Sequence, residues 1–137
     1  TITLPATAVR AVAVGACNAQ LGSSIAPFSG RGFAYRAGHV KPDIVAPGVD
    51  VWAPRPGGGY GTFTGTSIAA PLAAGAAALL MEWGIVRGND PYLFGEKIKA
   101  ALRKGAARPS GMDFPNAAWG YGSLCVLGAL ESLREMV

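Results

Sequence analysis

At 137 residues, half of them apolar, the chain has the length of one ordinary domain and enough interior to bury a core, which excludes a disordered segment. Only 15% of residues are charged, mean hydropathy is positive, and 20 glycines and 10 prolines call for many tight turns, a balance expected of a piece cut from a larger globule. The net charge of +4 does not signal nucleic acid, because Arg31, Arg36, Lys41, Lys97, Lys99, Arg103, Lys104 and Arg108 are spread over separate segments with no basic stripe among aromatics.

The first predicted element is a valine-rich run from Val9 to Ala16, which reads as a strand covered on both faces and therefore as part of a parallel sheet. Nothing before it pairs a basic stretch with an apolar one, so no signal peptide is expected. From Asn18 to Gly38 the composition turns to Ser, Gly and Pro punctuated by Phe28, Phe33 and Tyr35, which predicts loops with a short hairpin. Lys41 to Gly48 gives a brief strand stopped by a Pro-Gly turn, and Val49 to Ala53 a second one. Pro54 to Gly61 is a surface turn, and Thr62 to Thr64 an extended piece. Gly57-Gly58-Gly59 is no phosphate cradle, since no Gly-Lys-Ser/Thr follows.

A helix is predicted from Thr66 or Ser67 to about Trp83, ended by Gly84. It is Ala, Leu and Gly nearly all round, the pattern of a helix enclosed on every side. Its apolar run from Ile68 to Met81, broken by Pro71, is shorter than the roughly 20 residues that span a bilayer, so no membrane span is expected. Asn89-Asp90-Pro91 predicts an N-cap and first turn for a further helix that continues through Glu96 to Lys104 and stops at Gly105. After a loop over Pro109 to Asn116, Trp119-Gly120-Tyr121-Gly122 turns into a last helix from Ser123 or Leu124 to Arg134. Cys17 and Cys125 lie far apart in apolar surroundings without metal-ligand spacing, and read as buried free thiols. Trp83, Tyr92 and Trp119 are expected in the core or at an interface.

One cluster carries chemistry. A serine hydroxyl attacks a carbonyl only when a base takes its proton and fixed donors receive the oxyanion. Ser67, in Gly65-Thr66-Ser67-Ile68-Ala69-Ala70-Pro71, is expected at the first turn of the helix, with a free backbone N–H and the positive end of the helix dipole. Gly65 permits close approach of a substrate carbonyl, and Pro71 this near the helix start costs little. His39 is read as a solvated loop residue and Asp43 as bonded to nearby backbone. An α/β-hydrolase elbow is a poor fit, because it needs glycine where Ala69 stands and a histidine after Ser67, and none follows.

The run Phe63 to Pro71, followed by Gly75-Ala76-Ala77-Ala78-Leu79-Leu80, resembles the nucleophile motif of the subtilisin-like serine proteases, peptidase family S8. Val12 to Ala16, Phe28 to Gly32 and Lys41 to Gly48 agree with that family in order and spacing, and Trp119 to Gly122 resembles its end. The stretch Met81 to Tyr92 resembles its Csp branch, proteases that process a cortex hydrolase during spore germination. This resemblance implies an α/β fold: a partial subtilisin-like domain in which a parallel sheet segment packs on a central buried helix carrying the nucleophile, with C-terminal helices outside. It implies Ser67 as the nucleophile and its N–H as one oxyanion donor, with Gly65, Thr66 and Pro71 supporting the motif. Thr3, Leu4 and Pro5 align with a wall of the primary specificity pocket. Leu72 departs from the histidine that many relatives carry after the proline; that histidine is not the triad base.

Because the family runs Asp, His, Asn, Ser along the chain, the other three are expected upstream of Thr1. Residues 1–137 then form the C-terminal part of one catalytic domain, inactive alone, whose exposed surfaces await the N-terminal half or a second copy. The implied substrate is a polypeptide, in the Csp branch a spore cortex-lytic pro-enzyme, and the implied location spore-associated or secreted. No cofactor is expected; a calcium site belongs to the family fold, with no ligand set located here. The alternative is a pseudoprotease or interaction module that keeps the fold for binding.

Overall fold

The computed structural model describes residues 2–20, 24–33 and 39–136, so the readings at Thr1, Tyr35, Arg36 and Gly38 lie outside the described residues. Strand β1, Val14–Asn18, sits at the centre of a three-stranded sheet in the order β2-β1-β5. It pairs in parallel with β5, Ile44–Pro47, placing Val14 opposite Ile44 and Cys17 opposite Pro47. Its other neighbour, β2 (Ser24–Ile25), is antiparallel, so one pair carries the parallel character that the sequence predicts. Segment 121–124 extends the far edge of β5, with Val45 N donating to Gly122 O at 3.0 Å and Leu124 N to Val45 O at 2.7 Å. Two small antiparallel pairs complete the strands: β3 (Gly32–Phe33) with β4 (Val40–Lys41), and the hairpin of β6 (Val51–Pro54) and β7 (Tyr60–Phe63).

Successive strand residues face opposite sides, and both sides of this sheet are covered. On one, Ala16, Ala26 and Ala46 pack on Ala69; on the other, Cys17 and Val45 pack on Trp119. The alanines let helix α1, Thr66–Met81, lie close to the strands. Its buried residues are Ala69, Ala73, Ala76 and Leu80, a single stripe at spacings of four, three and four. Among the described residues the helix is therefore not enclosed on every side. Leu72, Gly75 and Leu79 face outward, along an apolar groove of about 610 Å³ shared with Pro47, Leu124 and Val126.

Past Met81 the helix widens into a π-helical turn, Glu82–Val86, where a stop at Gly84 was expected. Gly84 is buried, and a side chain there would strike Leu93, so glycine serves close packing here instead of ending the helix. Together Thr66–Val86 is 21 residues, long and apolar enough by composition to cross a membrane, although five of them, Ala69, Ala73, Ala76, Leu80 and Gly84, are buried within the described residues.

Helix α2 is Glu96–Lys104, shorter at its start than the sequence suggests. Asp90 does not cap it: its Oδ1 accepts from Tyr92 N at 3.1 Å in a local turn, its Oδ2 pairs with Lys97 at 2.6 Å, and Gly95 begins the helix instead. That turn lets Leu93 drop fully into the core before the helix starts. Helix α3, Val126–Arg134, begins two residues after Leu124 because Cys125 takes the cap, its Sγ accepting from Gly128 N at 3.3 Å. Both cysteines are free; Cys17 is buried and Cys125 half-buried. Burial pushes the Cys17 thiol up.

Asp43 joins these layers. Its side chain is fully buried between β5 and α2. Its Oδ2 accepts from Ala13 N at 2.7 Å and Lys41 Nζ at 2.8 Å, and its Oδ1 from Arg103 Nε at 2.9 Å and from Arg103 Nη2. Lys99 Nζ lies 3.5 Å from the same Oδ1 and donates to Val9 O and, at 3.0 Å, to Ala11 O. Burial alone raises the Asp43 pKa, but the hydrogen bonds from Lys41, Ala13 and Arg103 outweigh it and hold the carboxyl below its ordinary value. The Lys99 ammonium is lowered, chiefly by burial. These lysine bonds also explain why β1 begins at Val14 and not at Val9: the carbonyls of Val9 and Ala11 are taken by side chains, not by a neighbouring strand.

Candidate functional site

The hairpin β6–β7 delivers the chain to the start of α1. At its neck Thr64 Oγ1 accepts from Asp50 N at 2.9 Å, and Gly65 N donates to Gly48 O at 2.8 Å. Gly48 and Gly65 meet so closely that a Cβ on Gly48 would lie 2.9 Å from Gly65 O. Gly65 has φ of 155°, and a Cβ on it would lie 3.2 Å from Ser67 Oγ. Glycine at 65 thus keeps the space around the hydroxyl clear.

Helix α1 starts at Thr66, as the motif predicts, and Ser67 is exposed. Gly65 O accepts from Ile68 N at 3.1 Å and from Ala69 N at 3.3 Å, which uses up the next two amides. Among the described residues the N–H and hydroxyl of Ser67 have no hydrogen-bond partner. A free amide at the positive end of a 16-residue helix suits a developing oxyanion. Pro71 sits inside the helix and removes the N–H that Ser67 O would otherwise accept.

A cavity of about 250 Å³ lies beside this helix start, with Thr66 on one side and Ile2, Thr3, Ala6, Ala13 and Phe28 among the residues around it. Of the three positions aligned with a pocket wall, only Thr3 borders it. Leu4, at 85%, and Pro5 are exposed, and Ile2 and Ala6 border the cavity together with Thr3. No hydrogen bond joins His39, which is exposed, to Ser67, Asp43 or Asp50 among the described residues. Nor do the described residues bring three or more His, Cys, Asp or Glu side chains together as a metal site.

The sequence model of the Subtilase family, Peptidase_S8, matches residues 1–122. The chain belongs to the subtilase family. Among curated relatives, it is 35% identical to the minor extracellular protease Vpr of Bacillus subtilis (strain 168) over 121 residues, covering 82% of this chain and 14% of that protein. Subtilisin E of the same organism is 41% identical over 82 residues, 60% of this chain and 19% of the relative. Among solved structures, the Clostridium perfringens CspB protease superposes with a TM-score of 0.92 at 44% identity, covering 98% of this chain and 29% of that one. The patellamide maturation protease PatA follows with a TM-score of 0.75 at 34% identity, covering 96% and 46%. The subtilase chain described here thus spans less than half of each of these relatives, and its mixed α/β architecture is theirs.

Sequence reasoning missed the charged group around Asp43. Lys41 and Asp43 flank Pro42 and hint at it, and Lys99 falls in the buried stripe of α2 with Ile98 and Leu102. The closing partner, Arg103, stands 60 positions from Asp43, a distance that no local pattern reports.

Proposed function

We propose that this chain is the nucleophile-bearing, C-terminal part of a subtilisin-like serine endopeptidase domain, with Ser67 as the attacking residue. The observation that carries the reading is the exposed Ser67 hydroxyl at the start of α1, beside a backbone amide without a partner among the described residues, in a subtilase chain. Ser67 Oγ attacks the scissile carbonyl while a histidine from polypeptide preceding Thr1, oriented by an aspartate there, takes the hydroxyl proton. The Ser67 amide and an asparagine from the same preceding polypeptide bind the oxyanion. On collapse the carbon–nitrogen bond breaks, and the histidine passes its proton to the leaving amine. Water then cleaves the acyl ester, freeing a carboxylate and restoring the serine. Gly65, Thr66 and Pro71 shape the motif, and Thr3 borders the pocket for a substrate side chain.

On this reading the outward side of α1 faces the N-terminal half of the domain, and the 137 residues alone are inactive. Likeness to the CspB protease, together with the Csp-like stretch Met81 to Tyr92, supports a processing protease acting on a spore cortex-lytic pro-enzyme.

The test is fluorophosphonate labelling and peptide hydrolysis by the longer protein that includes this segment. Ser67→Ala is expected to abolish labelling and to reduce turnover by about 10⁶-fold, the scale of losing such a nucleophile. Labelling that persists at another residue, or turnover unaffected by the substitution, overturns the assignment and leaves a binding module on a protease fold.

A further inference from the structure

The wall of the cavity beside Ser67 is an irregular strap. Among the described residues, 2–12 contain a single backbone–backbone hydrogen bond, from Ala8 N to Pro5 O at 3.0 Å. Such a segment has no ladder to hold it. What fastens it are cations: Lys99 Nζ donates to Val9 O and Ala11 O, and Lys41 Nζ donates to Ala11 O at 2.8 Å. Lys41 is fully buried and Lys99 nearly so, and both stand against the Asp43 carboxylate that also holds Ala13 N. The strap reaches the cavity through Ile2, Thr3 and Ala6, and Ala13, next to its end, borders it too.

We propose that Lys99, with Lys41, is a positioning residue that fixes strap 2–12 as the wall of the cavity beside Ser67, and thereby sets which substrate side chain that cavity accepts. The inference rests on the peptidase reading given above and adds a determinant of its specificity. Lys99 belongs to α2 and does not border the cavity; it acts through the two carbonyls it holds. Among the described residues no charged side chain borders the cavity, so what this wall contributes is size and shape, and a displaced wall alters it directly. The ladder of β1 with β5 does not depend on Lys99, so losing this anchor frees the strap while leaving the sheet and Ser67 in place.

The experiment compares the longer protein with its Lys99→Met variant, which keeps an unbranched apolar stem one atom shorter and removes the donors. Peptides differ only in the residue preceding the scissile bond. KM for the preferred peptide is expected to rise about tenfold, the scale of one lost charge-assisted hydrogen bond, with kcat within about twofold and the preference among uncharged residues flattened. Hydrogen exchange at amides 2–12 is expected to accelerate while that of 14–18 does not. Lys99→Arg, which still donates, is expected to restore the preference. Should Lys99→Met fail to fold, Lys99→Gln, which keeps a polar but uncharged and shorter side chain, is expected to show a change of the same kind. An active wild type whose folded variants keep KM and preference unchanged overturns this inference and leaves the peptidase reading standing. A fall in kcat at constant KM overturns it as well. A wild type without Ser67-dependent turnover removes the peptidase reading, and the inference with it.

Discussion

Leu79 and Leu80 are neighbours on α1, yet one is 59% exposed and the other 1%. The stripe through Leu80 rests on the β1–β5 pair, while the stripe through Leu79 lines an open apolar groove. Both are equally apolar, so composition does not separate them; what separates them is whether a partner layer lies against them among the described residues. Among the described residues the apolar surface of α1 is larger than the part of it they cover, in keeping with a low charge content and a positive mean hydropathy.

The largest effect is expected on the closed side, from Asp43→Ala. It leaves Lys41, Lys99 and Arg103 facing one another without their shared carboxylate, a loss of about 3–5 kcal/mol read by denaturant titration. A smaller loss than this would place the stability of the closed side in its apolar packing alone. Leu80→Ala follows, at about 2–5 kcal/mol for a cavity in the core that Leu80 shares with Ile44, Leu93, Ile98, Leu102 and Leu133.

Acid then tests the same carboxylate more gently, because a protonated Asp43 still accepts some of its hydrogen bonds. Its folded pKa is depressed, so the stability it contributes is complete above its unfolded value, near pH 4, and is lost as pH falls through the lower folded value. An Asp43→Asn variant is expected to show less of that acid dependence in thermal melts. The smallest effect is Leu79→Ala, within about 0.5 kcal/mol in the 137-residue chain. If the longer protein covers this side, the same substitution there costs as much as Leu80→Ala, and an equally small loss in both would mean that the groove stays open.

The parts legible in sequence are those fixed locally. The motif around Ser67 sets the helix start, because glycine at 65 and the first-turn pattern act within a few residues. Lys41 to Gly48 reads as a strand with a turn for the same reason. Features that depend on distant partners were not legible. Asp43 waits for Arg103, Gly84 for Leu93, and the one-sided burial of α1 is set by which of its faces meets the sheet. The start of α2 was misplaced because Asp90 spends its carboxylate on Tyr92 and Lys97, a choice among local bonds that favours a turn over a cap. Thr3 was separated from Leu4 and Pro5 only by three-dimensional course, since alternate residues of an irregular strap have no periodicity to betray which one turns inward.

The bond from Gly65 to Gly48 brings the chain back to the point from which it left, so residues between them form a closed excursion. Main-chain atoms make that knot, and it is therefore indifferent to what hangs beyond it. Trp52 and Tyr60, stacked in the open with ring centres 6.3 Å apart, can be exchanged, and the turn at Gly57–Gly59 lengthened, without moving the serine by any direct route. The hairpin is free to diversify while the reactive end of the helix stays tied to the sheet.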